Sequence, residues 1–266
     1  MALQIGQPAP DFSLYDTNKT KVSLQDFKGK NVLLMFFPQA FTGVCTQQVC
    51  TARDNMNQYE KAGVNIELGN KVKSKLPALL ESTNRPEVLG KVGGFGGLFA
   101  LNTKKYTNPV LVSSVDGVGT KLKIACLYNK HDTIGIDLVN HCVNDIAVLG
   151  AEPLFFLDYI GVGRLEEHVF EQIIKGFTKG CILNNCSLIG GETAQMPGFY
   201  KKGEYDVSGT IVGVVEKDSI IDGSEISDGD VLIGVASSGL HTNGYSLARK
   251  VLFDKMRYGV EDYIKE

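Results

Sequence analysis

Residues 109–121 read PVLVSSVDGVGTK, and this stretch decides the fold of the larger part of the chain. Its first residues, Pro109–Val115, are rich in β-branched side chains and predict a strand. Asp116 comes directly after this strand, and a carboxylate at a strand end can hold Mg²⁺ while Thr120 and Lys121 face phosphate oxygens. The spacing of a Walker A loop is absent, so a tight turn with a surface lysine is the alternative interpretation.

Strands and helices alternate after this stretch, which predicts an α/β (α+β) fold with a mixed sheet packed against helices. A helix over Ala62–Glu81 is predicted before it. The later predicted elements are strand Thr133–Ile136, helix Leu138–Leu149, strand Leu154–Tyr159, helix Glu166–Asn184, strand Ser187–Ile189 and strand Tyr205–Val215. Two Asp-Gly pairs between Asp222 and Asp230 indicate a domain boundary. Strand Val231–Ala236 and helix Gly244–Phe253 are predicted to begin a further unit.

Composition limits the class of protein. The 266 residues are enough for one large domain or two ordinary ones, and 43% hydrophobic residues support a packed core. A formal net charge of −3 gives no electrostatic case for binding nucleic acid or an anionic membrane. Six cysteines without a dense framework suit a reducing compartment, and the chain begins without a secretory signal pattern. We therefore expect a cytoplasmic protein.

One predicted helix has a distinctly polar face. At 100° per residue, the apolar residues between Leu138 and Leu149 share one side. The opposite side carries Asp137, His141, Asn144 and Asp145. Asp137 as a helix cap, or the whole face as a solvated surface, is the alternative interpretation.

Two glycine-rich stretches complete the predicted nucleotide site. Residues 93–97 read GGFGG, in which glycines let backbone N–H groups approach a polyphosphate, although such loops are often ordinary turns. Residues 190–197 read GGETAQMP and place Glu192 after a short apolar strand. Mg²⁺ takes one or two carboxylates plus phosphate oxygens, so Asp116, Asp145 and Glu192 suit a polyphosphate site with one or more ions.

Residues 237–247 read SSGLHTNGYSL and place His241 beside polar residues. There His241 can bind a substrate phosphate or transfer a proton. A capping turn at a helix start, with an incidental histidine, is the alternative.

Taken together and in this order, these motifs resemble the phosphoribosylformylglycinamidine cyclo-ligases, from Tyr59 to about Phe253. The blocks His131–Asp137, Gly150–Tyr159 and Ser237–Leu247 carry the resemblance, whereas Gln195 stands where the family usually has Glu. The resemblance implies ATP and Mg²⁺ as cofactors, and formylglycinamidine ribonucleotide as the substrate. The γ-phosphate of ATP is transferred to the formyl amide oxygen, and the amidine nitrogen then closes the imidazole ring.

The resemblance also implies roles for individual residues. Catalytic residues are His241, Lys121 and Asp116, and the metal ligands are Asp116, Asp145 and Glu192. ATP-binding residues are Gly93, Gly94, Phe95, Gly96, Thr120, Asp137, Asn144 and Thr193. The substrate phosphate is bound by Ser238, His241 and Asn243. The implied domains are an ATP-binding domain over 59–222 and the start of a truncated second α/β domain over 223–266. A homodimer in which two sheets form a barrel is implied as well.

The first 58 residues carry a different pattern. A buried strand is predicted over Val32–Phe37 after a hairpin-like stretch at Asp16–Lys21, and a helical segment over about Val44–Tyr59 follows. Pro38, Thr42 and Cys45 lie between strand and helix, where a helix N-terminus lowers a thiol pKa. A buried structural pair of cysteines is the alternative.

This pattern resembles the peroxiredoxin motif Pro-x-x-x-Thr-x-x-Cys. By that resemblance Cys45 is the peroxidatic cysteine, and Cys50 lies where some members carry a resolving cysteine. Residues 1–58 are then an incomplete thioredoxin-like fragment joined to the ligase segment near Gln58–Tyr59, and we expect no useful peroxidase activity. The other function hypotheses are a thiol peroxidase acting through Cys45 and an inactive fusion that only binds nucleotide.

Overall fold

The structure is a computed structural model that describes residues 11–15, 19–28, 62–90 and 96–263. The chain divides into two compact units, Met1–Asp54 and Asn55–Glu266. The domain boundary expected near Gln58–Tyr59 stays a prediction. Within the described residues, no helix is both long enough and apolar enough to cross a membrane.

The described part of the first unit is a small antiparallel hairpin. Strand β1 (Ser13–Tyr15) pairs with β2 (Lys21–Ser23), on either side of the stretch predicted to be hairpin-like. A 3₁₀ turn, Leu24–Phe27, follows, and the Ser23 backbone N–H donates to the Asp26 carboxylate at 2.6 Å. This capping bond satisfies a donor that the turn leaves unpaired. The strand predicted at Val32–Phe37 and the helix predicted at Val44–Tyr59 lie outside the described residues.

The second unit contains a mixed sheet, as the sequence predicts, and this sheet has four strands among the described residues. The strands lie in the order β3-β6-β4-β5, in which β4 and β5 are parallel and the other pairs antiparallel. Their bounds are Pro109–Gly117 for β3, Glu152–Val162 for β4, Ser187–Gln195 for β5 and Tyr205–Glu216 for β6. All four strands are longer than predicted, and in two of them the extension includes a predicted site residue: Asp116 lies within β3 and Glu192 within β5.

Six α-helices are present in the described part of this unit. They are α1 (Ile66–Lys73), α2 (Leu76–Glu81), α3 (Leu122–Tyr128), α4 (Ile134–Ala147), α5 (Glu167–Leu183) and α6 (Tyr245–Arg249). Short 3₁₀ turns cover Gly119–Lys121 and Lys217–Ser219, and a π-helical turn over Lys250–Lys255 extends α6. The single helix predicted over Ala62–Glu81 is two helices, because Pro77 in the first turn of α2 cannot continue a hydrogen-bond ladder from α1.

Helices α4 and α5 cover one face of the sheet and form the core. Phe156 of β4 and Phe177 of α5 are fully buried, with ring centroids 6.0 Å apart. The two helices approach so closely that a Cβ on Gly135 would lie 2.2 Å from the backbone nitrogen of Phe177. A larger side chain at Gly135 would push the helices apart, so glycine here sets their spacing.

Two predicted strands are wrong. Residues 133–136 begin helix α4, and buried Ile134 faces the core with the later apolar residues of that helix. A run this short does not distinguish strand from helix. The stretch Val231–Ala236 forms no strand, and Leu232 is 98% exposed. No neighbouring strand pairs with it among the described residues, so its backbone gains no ladder of hydrogen bonds.

Candidate functional site

The centre of the candidate site is a pair of carboxylates held by one serine. Asp116 lies near the end of β3 and Asp145 on α4, and both belong to the predicted metal set. The Ser114 hydroxyl lies 2.8 Å from Asp145 Oδ2 and 3.4 Å from Asp116 Oδ2. Hard carboxylate and hydroxyl oxygens at this spacing suit a divalent cation such as Mg²⁺.

A histidine connects this pair to a distant part of the chain. His141 lies one helical turn before Asp145 on α4, and its Nε2 is 3.3 Å from Asp116 Oδ1. Its Nδ1 is 2.7 Å from the hydroxyl oxygen of Thr242. The 237–243 segment is thereby brought onto the polar face of α4.

Lys121 forms a second connection to the same segment. Its ammonium group is 2.5 Å from Asp137 Oδ2, at the start of α4, and donates to the His241 carbonyl at 3.2 Å. The ammonium also lies 5.2 Å from the centre of the Tyr245 ring, which favours a cation–π contact. The Thr120 hydroxyl is 2.9 Å from that of Ser246. Thr120 and Lys121, the two residues predicted to face phosphate, thus lie against the start of α6.

A cleft of about 270 Å³ lies between α4 and the 237–243 segment. Its lining residues are Asp137, Asn140, His141, Asn144, Ser238, Leu240, His241 and Thr242. Four of the predicted residues therefore share one cleft: Asp137, Asn144, Ser238 and His241. Asn243 is exposed beside Thr242 and is not among the lining residues.

The imidazole of His241 is oriented from within its own loop. Its Nε2 lies 2.9 Å from the Ser237 hydroxyl oxygen, which in turn is 2.6 Å from the Gly239 carbonyl. The loop therefore has local hydrogen bonds that hold its histidine at the mouth of the cleft.

Glu192 and Thr193 lie elsewhere on the sheet. Both are on β5, which β6 and β4 separate from Asp116 on β3. Within the described ranges, no group of three or more His, Cys, Asp or Glu side chains is arranged to hold a metal ion. The structure therefore brings together Asp116 and Asp145 and leaves Glu192 apart from them.

Glu192 and Thr193 line a different cleft, also of about 270 Å³, with Asp158 of β4 and apolar residues of α2 and α5. In the sheet register, Asp116 pairs with Gly209, which pairs with Asp158. Burial raises the pKa of the Asp158 carboxyl to about 7, and the negative charge of Glu192 adds to the shift. This carboxyl is thus partly protonated near neutral pH.

Gln195, the departure from the family pattern, has a structural partner. Its side-chain oxygen accepts from the Asn65 backbone N–H at 3.0 Å, and its Nε2 donates to the Asn65 carbonyl at 3.2 Å. Asn65 in turn caps α1 by accepting from the Leu68 backbone N–H at 2.7 Å. The amide at Gln195 therefore anchors the start of α1.

Several predicted residues lie outside the described part of the chain. These are Gly93, Gly94 and Phe95 of the glycine loop, and Pro38, Thr42, Cys45 and Cys50 of the thiol site. Gly96 is described and is exposed.

Ser114, which contacts both carboxylates, and the cleft residues His141, Asp158 and Thr242 had no role in the sequence prediction. The helical spacing placed His141 on the polar face of α4, which was a usable signal. Ser114 lies two residues before Asp116 on β3, so the two side chains are on the same side of the sheet. No local pattern indicates that Thr242 contacts His141, because 101 residues separate them.

Comparison with known protein families agrees with both resemblances. Residues 100–215 match the family model "AIR synthase related protein, N-terminal domain", and residues 5–69 match "AhpC/TSA family". Among curated proteins, phosphoribosylformylglycinamidine cyclo-ligase of Geotalea uraniireducens is 62% identical over 206 residues, which is 77% of this chain. The corresponding protein of Trichlorobacter lovleyi is 63% identical over 198 residues, which is 74% of this chain.

The chain spans 59% and 57% of the length of these two relatives. Among solved structures, hydrogenase maturation protein HypE in complex with ATP is 17% identical, with a TM-score of 0.42 over 57% of this chain and 41% of that one. Thiamine-monophosphate kinase from Stenotrophomonas maltophilia K279a is 20% identical, with a TM-score of 0.40 over 54% of this chain and 42% of that one. These structural scores are too low to support an inference about this chain.

The sequence matches cover different parts of the chain, and each agrees with the motifs found there. Residues 5–69 are similar to the AhpC/TSA family, and the larger part of the chain is similar to the phosphoribosylformylglycinamidine cyclo-ligases.

Proposed function

We propose that this chain uses ATP to close the imidazole ring of aminoimidazole ribonucleotide from formylglycinamidine ribonucleotide. Relatives that are 62% and 59% identical to it over 206 residues carry the name of that activity. The observation that carries the proposal is the cleft between α4 and the 237–243 segment, which is lined by two residues expected for ATP, Asp137 and Asn144, and by two expected for the substrate phosphate, Ser238 and His241.

In this proposal Lys121 binds a phosphate group of ATP, and Asp137 holds the Lys121 ammonium in place. The ammonium is held by the Asp137 carboxylate at 2.5 Å, so its position is set before any ligand binds. A preset positive charge stabilises the developing charge of a phosphoryl group without a cost of reorganisation. Thr120 and Asn144, with the 93–96 glycine loop, are proposed to complete the ATP site, whereas Thr193 lines the other cleft beside Glu192.

Asp116 and Asp145 are the residues that would hold Mg²⁺. When bound there, the ion would neutralise charge on the polyphosphate oxygens. Both carboxylates lie within reach of the Ser114 hydroxyl, and two carboxylates with phosphate oxygens and water are a usual ligand set for Mg²⁺. Glu192 is proposed as a ligand of a separate ion, since β5 does not adjoin β3.

Ring closure needs a leaving group and a close approach of two ends of one molecule. Transfer of the γ-phosphoryl group to the formyl oxygen makes that oxygen leave as phosphate when the amidine nitrogen attacks the formyl carbon. Holding both ends in one cleft favours this attack. Ser238, His241 and Asn243 are proposed to bind the substrate's own phosphate, and His241 is also the proposed group for proton transfer.

The test is a turnover assay on the full chain. With ATP, Mg²⁺ and formylglycinamidine ribonucleotide, we expect release of ADP together with formation of the ring product, and Asp116→Asn should abolish both. Asp132→Asn is the matched control, because Asp132 is exposed and pairs with Lys130 at 3.3 Å, away from the cleft. Absence of ADP release from the unaltered chain, or normal turnover by Asp116→Asn, would contradict the proposal.

A homodimer in the cytoplasm completes the proposed function. The side chains of Leu111 and Val115 on β3 are each 64% exposed. They alternate with Ser114 and Asp116, which face α4, so they lie on the sheet face that α4 does not cover. Exposed apolar residues on a sheet face suit an interface with a second copy. Light scattering should show a dimer that Val115→Asp weakens, and a stable monomer would contradict it.

A further inference from the structure

The exposed 217–244 stretch has a single buried anchor. From Lys217 to Gly244 every residue is exposed except Thr242, which is 8% exposed. The stretch nevertheless supplies Ser238, Leu240 and His241 to the cleft. A segment with so little buried surface needs specific contacts to keep these groups in place.

The chemistry of His141 defines the direction of the bonds at this anchor. The Asp116 carboxylate accepts, so the His141 Nε2 at 3.3 Å carries the hydrogen. In the neutral ring, Nδ1 then accepts the hydroxyl hydrogen of Thr242 at 2.7 Å. The carboxylate orients the imidazole, and the imidazole orients the threonine.

We propose that His141 and Thr242 are positioning residues that latch the 237–243 segment onto α4 and so shape the phosphate-binding side of the cleft. The ligand class is a phosphate monoester or polyphosphate, and this inference rests on the proposed function. Neither residue is asked to touch the reacting atoms. Each acts through the placement of Ser238 and His241.

Lys121 supplies another tether, but of a different kind. Its ammonium donates to the backbone carbonyl of His241 while it pairs with Asp137. A carbonyl acceptor is present whatever side chain the residue carries. The latch at Thr242 requires a hydroxyl group, which makes it specific to the residues at 141 and 242.

The test measures backbone hydrogen exchange of residues 237–243 by mass spectrometry on the full chain. Thr242→Val keeps the side-chain volume and removes the hydroxyl, so exchange in this segment should speed up roughly fivefold, the effect of one ordinary hydrogen bond. Thr242→Ser restores the hydroxyl and should return the rate close to that of the unaltered chain. His141→Leu should match Thr242→Val, and the double variant should add little to either.

The control makes the same change at a place without contact to the segment. Thr178 on α5 donates only to the carbonyl of Ile174 in its own helix, at 2.9 Å, so Thr178→Val should leave exchange at 237–243 unchanged. Unchanged exchange in α4 and β4 shows that each variant is folded. The latch is overturned if residues 237–243 exchange in Thr242→Val as slowly as in the unaltered chain. It is also overturned if they exchange as fast in Thr242→Ser as in Thr242→Val.

Inorganic phosphate separates the latch from the proposed function. In the unaltered chain and in Thr242→Ser, phosphate should slow exchange of residues 237–243 further, and it should do so less in Thr242→Val. If phosphate has no effect on the unaltered chain, the proposed phosphate site fails. The exchange rates without phosphate still decide the latch, since they need neither turnover nor ligand.

Discussion

The sheet with its two covering helices and the 217–244 stretch both contain large apolar side chains, yet these side chains differ completely in burial. In β4 and α5, Phe156, Ile160 and Phe177 are fully buried. In the later stretch, Leu232 and Val235 are more than 90% exposed. Apolar composition alone therefore does not bury a residue. Burial requires a neighbouring strand or helix face with which the residue can pack.

The same contrast divides the candidate site. Asp116, Asp145 and His141 are held by β3 and α4, whose positions the core determines. Ser238 and His241 belong to the stretch that Thr242 anchors. One side of the cleft is set by packing and the other by a few polar contacts, so substitutions on the two sides should have different kinds of effect.

The largest effect is expected in the core. Phe156 packs over Gly209, where an added Cβ would lie 2.0 Å from its ring. Phe156→Ala should lower the free energy of unfolding by about 3–5 kcal/mol, because it removes a large buried ring and leaves a cavity. Urea unfolding followed by circular dichroism measures this. A loss below about 1 kcal/mol would mean that this region is not packed as described.

The next effect depends on pH. Because the pKa of Asp158 is about 7 when folded and 3.8 ordinarily, the folded protein keeps a proton that the unfolded chain releases. Stability contributed by this proton is present at low pH and is lost as pH rises from about 4 through 7. Asp158→Asn should remove this loss. Relative to its effect at pH 4, the substitution should raise the free energy of unfolding at pH 8 by at most about 4 kcal/mol. Asp132→Asn on the surface should change the free energy of unfolding by the same amount at both pH values. The same change at both pH values in Asp158→Asn would contradict the prediction.

A smaller effect is expected where β5 meets α1. Gln195→Glu keeps the oxygen that accepts from Asn65 N–H but replaces the donor with a second oxygen that faces the Asn65 carbonyl. We expect the free energy of unfolding to fall by about 1–2 kcal/mol and hydrogen exchange in α1 to become faster. The matched control is Gln172→Glu on α5, since Gln172 accepts from the His131 backbone N–H at 2.9 Å and glutamate can do the same. Equal losses of stability in the two variants would show that the hydrogen bond from Gln195 Nε2 to the Asn65 carbonyl does not contribute.

The smallest effect is expected in the exposed stretch. Leu232 is 98% exposed, so Leu232→Ser should change the free energy of unfolding by less than about 0.5 kcal/mol. It should also reduce self-association at high concentration, because it removes an exposed apolar side chain. A large fall in stability would break the comparison, since it would show that Leu232 is packed in solution.

Much of the fold follows from local patterns. The strand and helix patterns that follow one another after residue 109 predicted all four strands of the sheet and the two main helices α4 and α5 close to their observed places. The errors have physical causes: Thr133–Ile136 is too short to reveal its period, and Val231–Ala236 has an apolar pattern without a described pairing strand. Pro77 was a usable signal for the break between α1 and α2.

The candidate site was partly predictable for the same reason. Helical spacing placed Asp137, His141, Asn144 and Asp145 on one face of α4, and the motif at 116–121 marked the end of β3. Spacing within one element cannot show that β6 and β4 separate Glu192 on β5 from Asp116 on β3, because strand order is a long-range property.

The sequence by itself determined the four strands and two main helices of the core, which residues carry carboxylate, amide and imidazole groups, and which two families the parts of the chain resemble. Only the tertiary structure decided that Asp116 and Asp145 share Ser114, that Glu192 stands apart, and that Thr242 meets His141. Local propensity acts over a few residues, whereas these contacts depend on where whole strands and helices pack.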